Sequence, residues 1–186
     1  MKRAFDLAAS ITALILLSPL LAVVSLVVFL DDGAPVVFKQ NRVGKDNELF
    51  KVYKFRTMRR ETRNGPTKMI VAEAGDAFIR SGKFLRSLSL DELPQLLNIL
   101  KGEMSFVGPR PLIPEESIIR QMRAEAGIYA VLPGLTGWAQ VNGRASINDD
   151  DKVALDKEYI ENKSFWLDMK ILVRTFAQVI TSKDVN

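Results

Sequence analysis

Leu7 to Leu30 reads LAASITALILLSPLLAVVSLVVFL, and how this uncharged run meets a membrane decides the rest of the molecule. At about 1.5 Å per residue in a helix it is long enough to cover a hydrocarbon core. A cleaved leader fits poorly, because the run is too long and no small-x-small cleavage site follows it. A plain transmembrane anchor is the simplest reading, but two features oppose it. Ser18-Pro19 sits at the centre of the run, where proline removes the hydrogen bond to the Ile15 carbonyl and its ring forces a bend. Positive residues also flank both ends, Lys2 and Arg3 before the run and Lys39, Arg42, Lys45, Lys51, Lys54, Arg56, Arg59 and Arg60 after it. A straight crossing satisfies only one of these flanks. A bent helix that returns to its own side satisfies both, with the serine and water meeting the freed carbonyl. On these residues alone the kinked span and the re-entrant helix both stay open.

Composition narrows the chemistry. The chain of 186 residues carries a formal net charge of +4, which favours anionic partners such as lipid headgroups, phosphates or nucleic acid. It has no cysteine and no histidine, so disulfides, thiolate chemistry, zinc-cysteine sites and imidazole catalysis are excluded. Carboxylates, lysine, arginine, hydroxyls or a hard metal ion remain. The length suits one modest domain, or one domain plus an anchor, and there is neither an internal repeat nor a linker that would split it into two soluble domains.

Beyond the anchor, PVVFKQ and LFKVYKF are β-branched or aromatic and are separated by the turn-forming VGKDNE, which predicts a β-hairpin. The polar stretch from Arg59 to Asp76, with its Asn-Gly-Pro, predicts a surface loop. A helical pattern runs from Phe78 to Leu100, and PEESIIRQMRAEAGIYAVL repeats apolar residues with Ile118, Ile119 and Met122 on one side. LPGLTGWAQVNGR reads as a loop. The tail gives two further helices, the last amphipathic with Phe165 and Trp166 near its start. The fold class is therefore α+β and mostly helical, with the membrane helix over 1–33 and a single further domain over 34–186.

Within the helical stretch, RSLSLDELPQLLNIL places Asp91 and Glu92 side by side ahead of Pro94. Proline fits a first helical turn, so Asp91 is expected to be the N-cap, ionised against the positive end of the helix dipole. Ordinary capping explains that pair by itself. Arg86 upstream and Arg110 downstream, the latter held between two prolines in GPRP, add rigid cations suited to bidentate phosphate contacts. A carboxylate able to bind a hard cation among arginines is what phosphoryl transfer through magnesium requires.

KFRTM, RSLSLDELPQLLNILKGEMSFVGPRPL and PGLTGWAQVNGR follow in that order after an apolar segment broken at Ser-Pro. This arrangement resembles the monotopic phosphoglycosyl transferases, a group of bacterial sugar transferases, over nearly the whole chain. The resemblance implies transfer of a phospho-sugar from a UDP-sugar to a polyprenol phosphate such as undecaprenyl phosphate, with release of UMP. It makes Asp91 the nucleophile and a magnesium ligand, with Glu92 the second member of the dyad. Lys54, Arg86 and Arg110 match basic positions that contact phosphates, and Gln140, Asn142 and Arg144 match candidates for the nucleotide sugar. The family also implies a re-entrant helix broken at Ser18 and Pro19, a catalytic part facing the cytoplasm at the bacterial inner membrane, amphipathic helices at the lipid surface, and downstream glycosyltransferases as partners. A competing class, a membrane-anchored basic protein that binds lipids or recruits enzymes without catalysis, explains the anchor and the charge but not Asp91, Arg110 and the glycine-rich motif together. Nucleic acid is not expected as a partner, since no recognisable binding motif accompanies the charge.

Overall fold

The structure is a computed structural model that describes residues 2–59, 77–143 and 147–180. The expected surface loop lies, beyond Arg59, outside the described residues, and so does Arg144. The apolar run forms two helices, α1 (Lys2–Leu16) and α2 (Ser18–Asp32), bent by 63° at Leu17. The bend has the expected local cause: Pro19 opens α2, and the Ser18 hydroxyl donates to the freed Ile15 carbonyl at 2.8 Å. Among the described residues no single helix is long and apolar enough to cross a membrane, while the bent pair together has the length and composition to do so.

This pair is fastened to the rest of the chain at several points. Lys2 pairs with Asp168 at 2.6 Å. Arg3 donates to the carbonyls of Ile99 and Leu100 at 2.5 and 2.9 Å, placing its charge at the negative end of a short helix. Buried Asp6 accepts from the Phe106 amide at 3.2 Å. From α2, Val24 and Val28 pack with Phe55, Ile79 and Leu85, and each such valine contributes about 1.5 kcal/mol or more relative to exposure. The opposite faces leave Ile15, Leu16, Val23, Leu26, Phe29 and Leu30 exposed.

The expected hairpin is present: β1 (Val37–Val43) pairs antiparallel with β2 (Leu49–Phe55), from Val37 opposite Phe55 to Val43 opposite Leu49. Its turn uses Asp46 and Asn47 at positive φ, a conformation these side chains tolerate. The predicted helix from Phe78 is shorter and broken. Phe78 bridges to Met58, α3 covers Gly82–Ser87, and Ser89 at φ 55° separates it from a tight helical turn over Leu90–Gln95, which runs into α4 (Leu96–Lys101).

Two elements depart from expectation. The stretch read as a loop contains a strand, β4 (Gly134–Thr136), parallel to β3 (Ser105–Val107), and a short helix, α6 (Trp138–Asn142). Strands of three residues are too short to show a period, and here the pairing depends on a glycine: a Cβ at Gly134 would overlap the backbone nitrogen of Gly108. In α5 (Ser117–Glu125) the buried face is Ile119 and Arg123, while Ile118 is 76% exposed. Arg123 turns inward because Asp156 of α7 (Asp149–Asn162) meets it at 2.5 Å. The final helix, α8 (Phe165–Ile180), buries Ile171 against Val107, Val141 and Tyr159.

Candidate active site

Strand β2 delivers Lys54, the tight turn delivers Asp91 and Glu92, and the segment after β3 delivers Arg110. Asn98 locks the first two together. This fully buried amide donates to the Lys51 carbonyl at 2.7 Å and to Glu103 at 2.6 Å, and accepts from the Tyr53 amide at 3.0 Å. The α4 side of the turn is therefore held to β2 next to Lys54.

Glu92 is the hub of the cluster, its Oε1 accepting from Lys54 Nζ at 2.5 Å and from Arg110 Nη2 at 3.4 Å. Burial works to raise its pKa, but Lys54 and Arg110 outweigh that and hold it at about 2. Burial pulls the Lys54 ammonium below its ordinary value, and Glu92 restores only part of the loss. Arg86 donates to the Thr57 hydroxyl at 2.9 Å and lies 5.1 Å from the centre of the Phe78 ring.

Asp91 differs from the expected cap. It lies inside the Leu90–Gln95 turn, whose preceding residue Ser89 is left-handed, and no side-chain capping bond forms there or at the start of α4. Its carboxylate accepts no hydrogen bond and makes no ion pair among the described residues, although Asp91 is only 5% exposed. With no amides to stabilise the anion, burial pushes its pKa above the ordinary carboxylate value, and Lys54, Arg86 and Arg110 draw it only partly back.

The structure thus brings Asp91, Glu92, Lys54, Arg86 and Arg110 into one electrostatic neighbourhood. A narrow cleft of about 10 Å³, room for little more than one water molecule, opens to solvent between Lys54, Glu92, Gln95 and Arg110, with Arg42 of β1 on its wall. Gln95 and Arg42 were missed in the sequence. Arg42 could have been noticed, because it alternates with Gln40 along a strand and so shares a face with it. Gln140 and Asn142 are not hydrogen-bonded to this cluster. Gln140 donates to the Leu135 carbonyl at 3.3 Å and leaves its buried Oε1 without a partner. Asn142 donates to the Trp138 carbonyl and accepts from Arg174, both at 2.9 Å.

Among the described residues no group of three or more acidic side chains gathers to cage a metal ion. Of the two carboxylates in the cluster, that of Asp91 is the one with no hydrogen bond or ion pair to another side chain among the described residues, which fits an ion that takes one protein oxygen and draws the rest of its shell from phosphates and water.

Known proteins resemble the chain along almost its whole length. Residues 1–182 match the family model described as bacterial sugar transferase. The chain is 43% identical over 193 residues to undecaprenyl-phosphate glucose phosphotransferase of Komagataeibacter xylinus, covering 98% of this chain and 36% of that one. It is 43% identical to the uncharacterised sugar transferase EpsL of Bacillus subtilis, covering 100% of this chain and 90% of that one. A third relative, UDP-glucose:undecaprenyl-phosphate glucose-1-phosphate transferase of Escherichia coli, is 38% identical over 98% of this chain and 41% of its own length. The chain therefore spans about two fifths of two of these relatives and nearly all of the third. A match along almost the full sequence places the chain in the bacterial sugar transferase family.

Proposed function

We propose that the chain transfers a phospho-sugar from a UDP-sugar to a polyprenol phosphate such as undecaprenyl phosphate, releasing UMP and opening a glycoconjugate pathway. The observation that carries this reading is the buried, unbonded carboxylate of Asp91 beside the Lys54–Glu92–Arg110 cluster. The activities named for the Komagataeibacter and Escherichia relatives support it.

In this reading an Asp91 oxygen attacks the sugar-bearing phosphorus, and the bond from that phosphorus to the bridging oxygen breaks, so that UMP leaves with the electron pair. A phosphate oxygen of the lipid then attacks the same phosphorus and frees Asp91. Poor solvation, which raises the Asp91 pKa, also makes its anion a stronger nucleophile. Glu92, held at about 2, stays ionised and cannot donate a proton; it holds Lys54 and Arg110 in place for phosphate oxygens. Arg86 adds positive charge next to Asp91. Gln140, Asn142 and Arg144 remain candidates for the nucleotide sugar. Magnesium would bind through Asp91, and it supplies neutralisation of the diphosphate and the leaving group.

The membrane part is proposed to be re-entrant, with residues 1–33 in one leaflet and 34–186 at the cytoplasmic face of the inner membrane. Both ends of the bent pair support this. Lys2 is tied to Asp168 at the start, and Arg56 to Asp32 at 3.1 Å at the end, so both ends meet the same body. A straight crossing would separate them. The exposed apolar side chains of α1 and α2, with Trp166, Val173 and Phe176 of α8, form surfaces that lipid would cover. Downstream glycosyltransferases are the proposed partners for the product.

The test is UMP release by detergent-purified protein given magnesium, undecaprenyl phosphate and a panel of UDP-sugars. Native protein is expected to release UMP and Asp91→Asn to release none while still binding membranes. Activity surviving in Asp91→Asn removes the nucleophile; membrane binding without activity in either protein supports a non-catalytic anchor.

A further inference from the structure

We propose that Arg42 is a phosphate-binding residue of the cleft, working beside Arg110; which phosphate it holds rests on the transferase reading above. Arg42 lines the same cleft as Lys54, Glu92 and Arg110. Its guanidinium is braced by neutral acceptors only, Nη1 donating to the Pro111 carbonyl at 3.2 Å and Nη2 to Gln40 Oε1 at 2.7 Å. Among the described residues no carboxylate lies within ion-pair distance of it.

Arg86, which donates to the Thr57 hydroxyl, likewise has no carboxylate at ion-pair distance among the described residues, whereas two other buried arginines do. Arg56 meets Asp32 at 3.1 Å and Arg123 meets Asp156 at 2.5 Å. Arg110 shares Glu92, but that carboxylate is already held by Lys54 at 2.5 Å. At the cleft itself Arg42, Lys54 and Arg110 face the single carboxylate of Glu92, with Arg86 and Asp91 close by, a local excess of positive charge that a phosphate dianion or a diphosphate would balance. Burial and the neighbouring Arg110 bring the Arg42 pKa down to about 10, and Glu116, Glu92 and Glu115 offset only part of this. The cation is strained by its surroundings and fixed in direction by Gln40 and Pro111. Its remaining N–H groups, set in a planar fork, suit two oxygens of one phosphoryl group.

The experiment is calorimetric titration of inorganic pyrophosphate into the full chain in detergent, without divalent cation, for native protein and Arg42→Gln. Native protein is expected to bind and Arg42→Gln to bind at least about tenfold more weakly, with its unfolding midpoint little changed. Equal affinity, or no binding by native protein, overturns the proposal. Should Arg42→Gln fail to fold, Arg42→Met keeps the alkyl stem packed and is held to the same criterion. Kinetics then identify the phosphate: a KM raised for the UDP-sugar assigns Arg42 to the donor, one raised for the polyprenol phosphate assigns it to the acceptor, and neither raised overturns it. Pyrophosphate binding that depends on Arg42 in a chain that transfers no sugar would leave this proposal standing and remove the transferase reading.

Discussion

Replacing Asp156 with asparagine removes one charge from the most deeply buried ion pair among the described residues. The Arg123 and Asp156 side chains are 4% and 2% exposed, and the pair is 2.5 Å apart. Arg123 Nη1 donates to the Arg110 carbonyl at 2.6 Å, so the arginine joins α5 and α7 to the GPRP segment. Asp156→Asn leaves the Arg123 charge buried without a counter-charge, which costs about 3–5 kcal/mol. In a chain of this size each kcal/mol moves the unfolding midpoint by about 2–4 °C, so a fall of roughly 6–20 °C is expected. Urea unfolding in detergent, followed by the fluorescence of Trp138 and Trp166, measures the cost. The double replacement Arg123→Met with Asp156→Leu removes both charges and should cost far less than the single change. A single-variant cost below about 1 kcal/mol, or a double variant as unstable as the single one, would refute the reasoning. Because the Arg110 carbonyl loses its anchored donor geometry, Asp156→Asn should also lower transfer activity at temperatures where it remains folded.

Acid should weaken the fold through Glu92. Its pKa of about 2 lies below the ordinary 4.5, so the ionised group adds stability that is complete above about pH 4.5 and lost as pH falls towards 2, a difference of about 3 kcal/mol. Asp91 acts in the opposite sense, so urea midpoints of native protein and Glu92→Gln are compared at pH 5 and pH 3; an equal drop in both would count against Glu92. Gly134→Ala should cost at least about 3 kcal/mol, because the new methyl group meets Gly108 backbone that cannot swing away, and wild-type stability in that variant would contradict the close approach. Pro19→Ala should restore the missing amide donor, straighten the 63° bend and shift the chain towards a spanning topology. Cysteine labelling that still finds the N-terminus on the cytoplasmic side would oppose that outcome.

Much of the architecture was legible because its causes are local. The Ser18-Pro19 break, the hairpin around Asp46 and Asn47, and the two long C-terminal helices each follow from a proline, a turn or a period contained in the segment itself. The same holds for the residue types of the dyad and the GPRP arginine. What was misread depends on partners far along the chain. Arg123 occupies a core position only because Asp156, 33 residues later, neutralises it. Residues 134–136 become a strand only because Ser105–Val107 lie beside them.

Asp91 shows the same division within one residue. By itself the sequence determined which groups are available for chemistry: carboxylates, arginines and a lysine, with no imidazole or thiol, behind a helix that proline obliges to bend. Tertiary structure alone decided that Asp91 caps nothing, that Glu92 rather than Asp91 takes Lys54 and Arg110, and that Arg42 joins their cleft. The physical reason is range: bends and turns are set by sterics within a few residues, whereas burial and charge pairing depend on which distant segments the fold brings within a few ångströms.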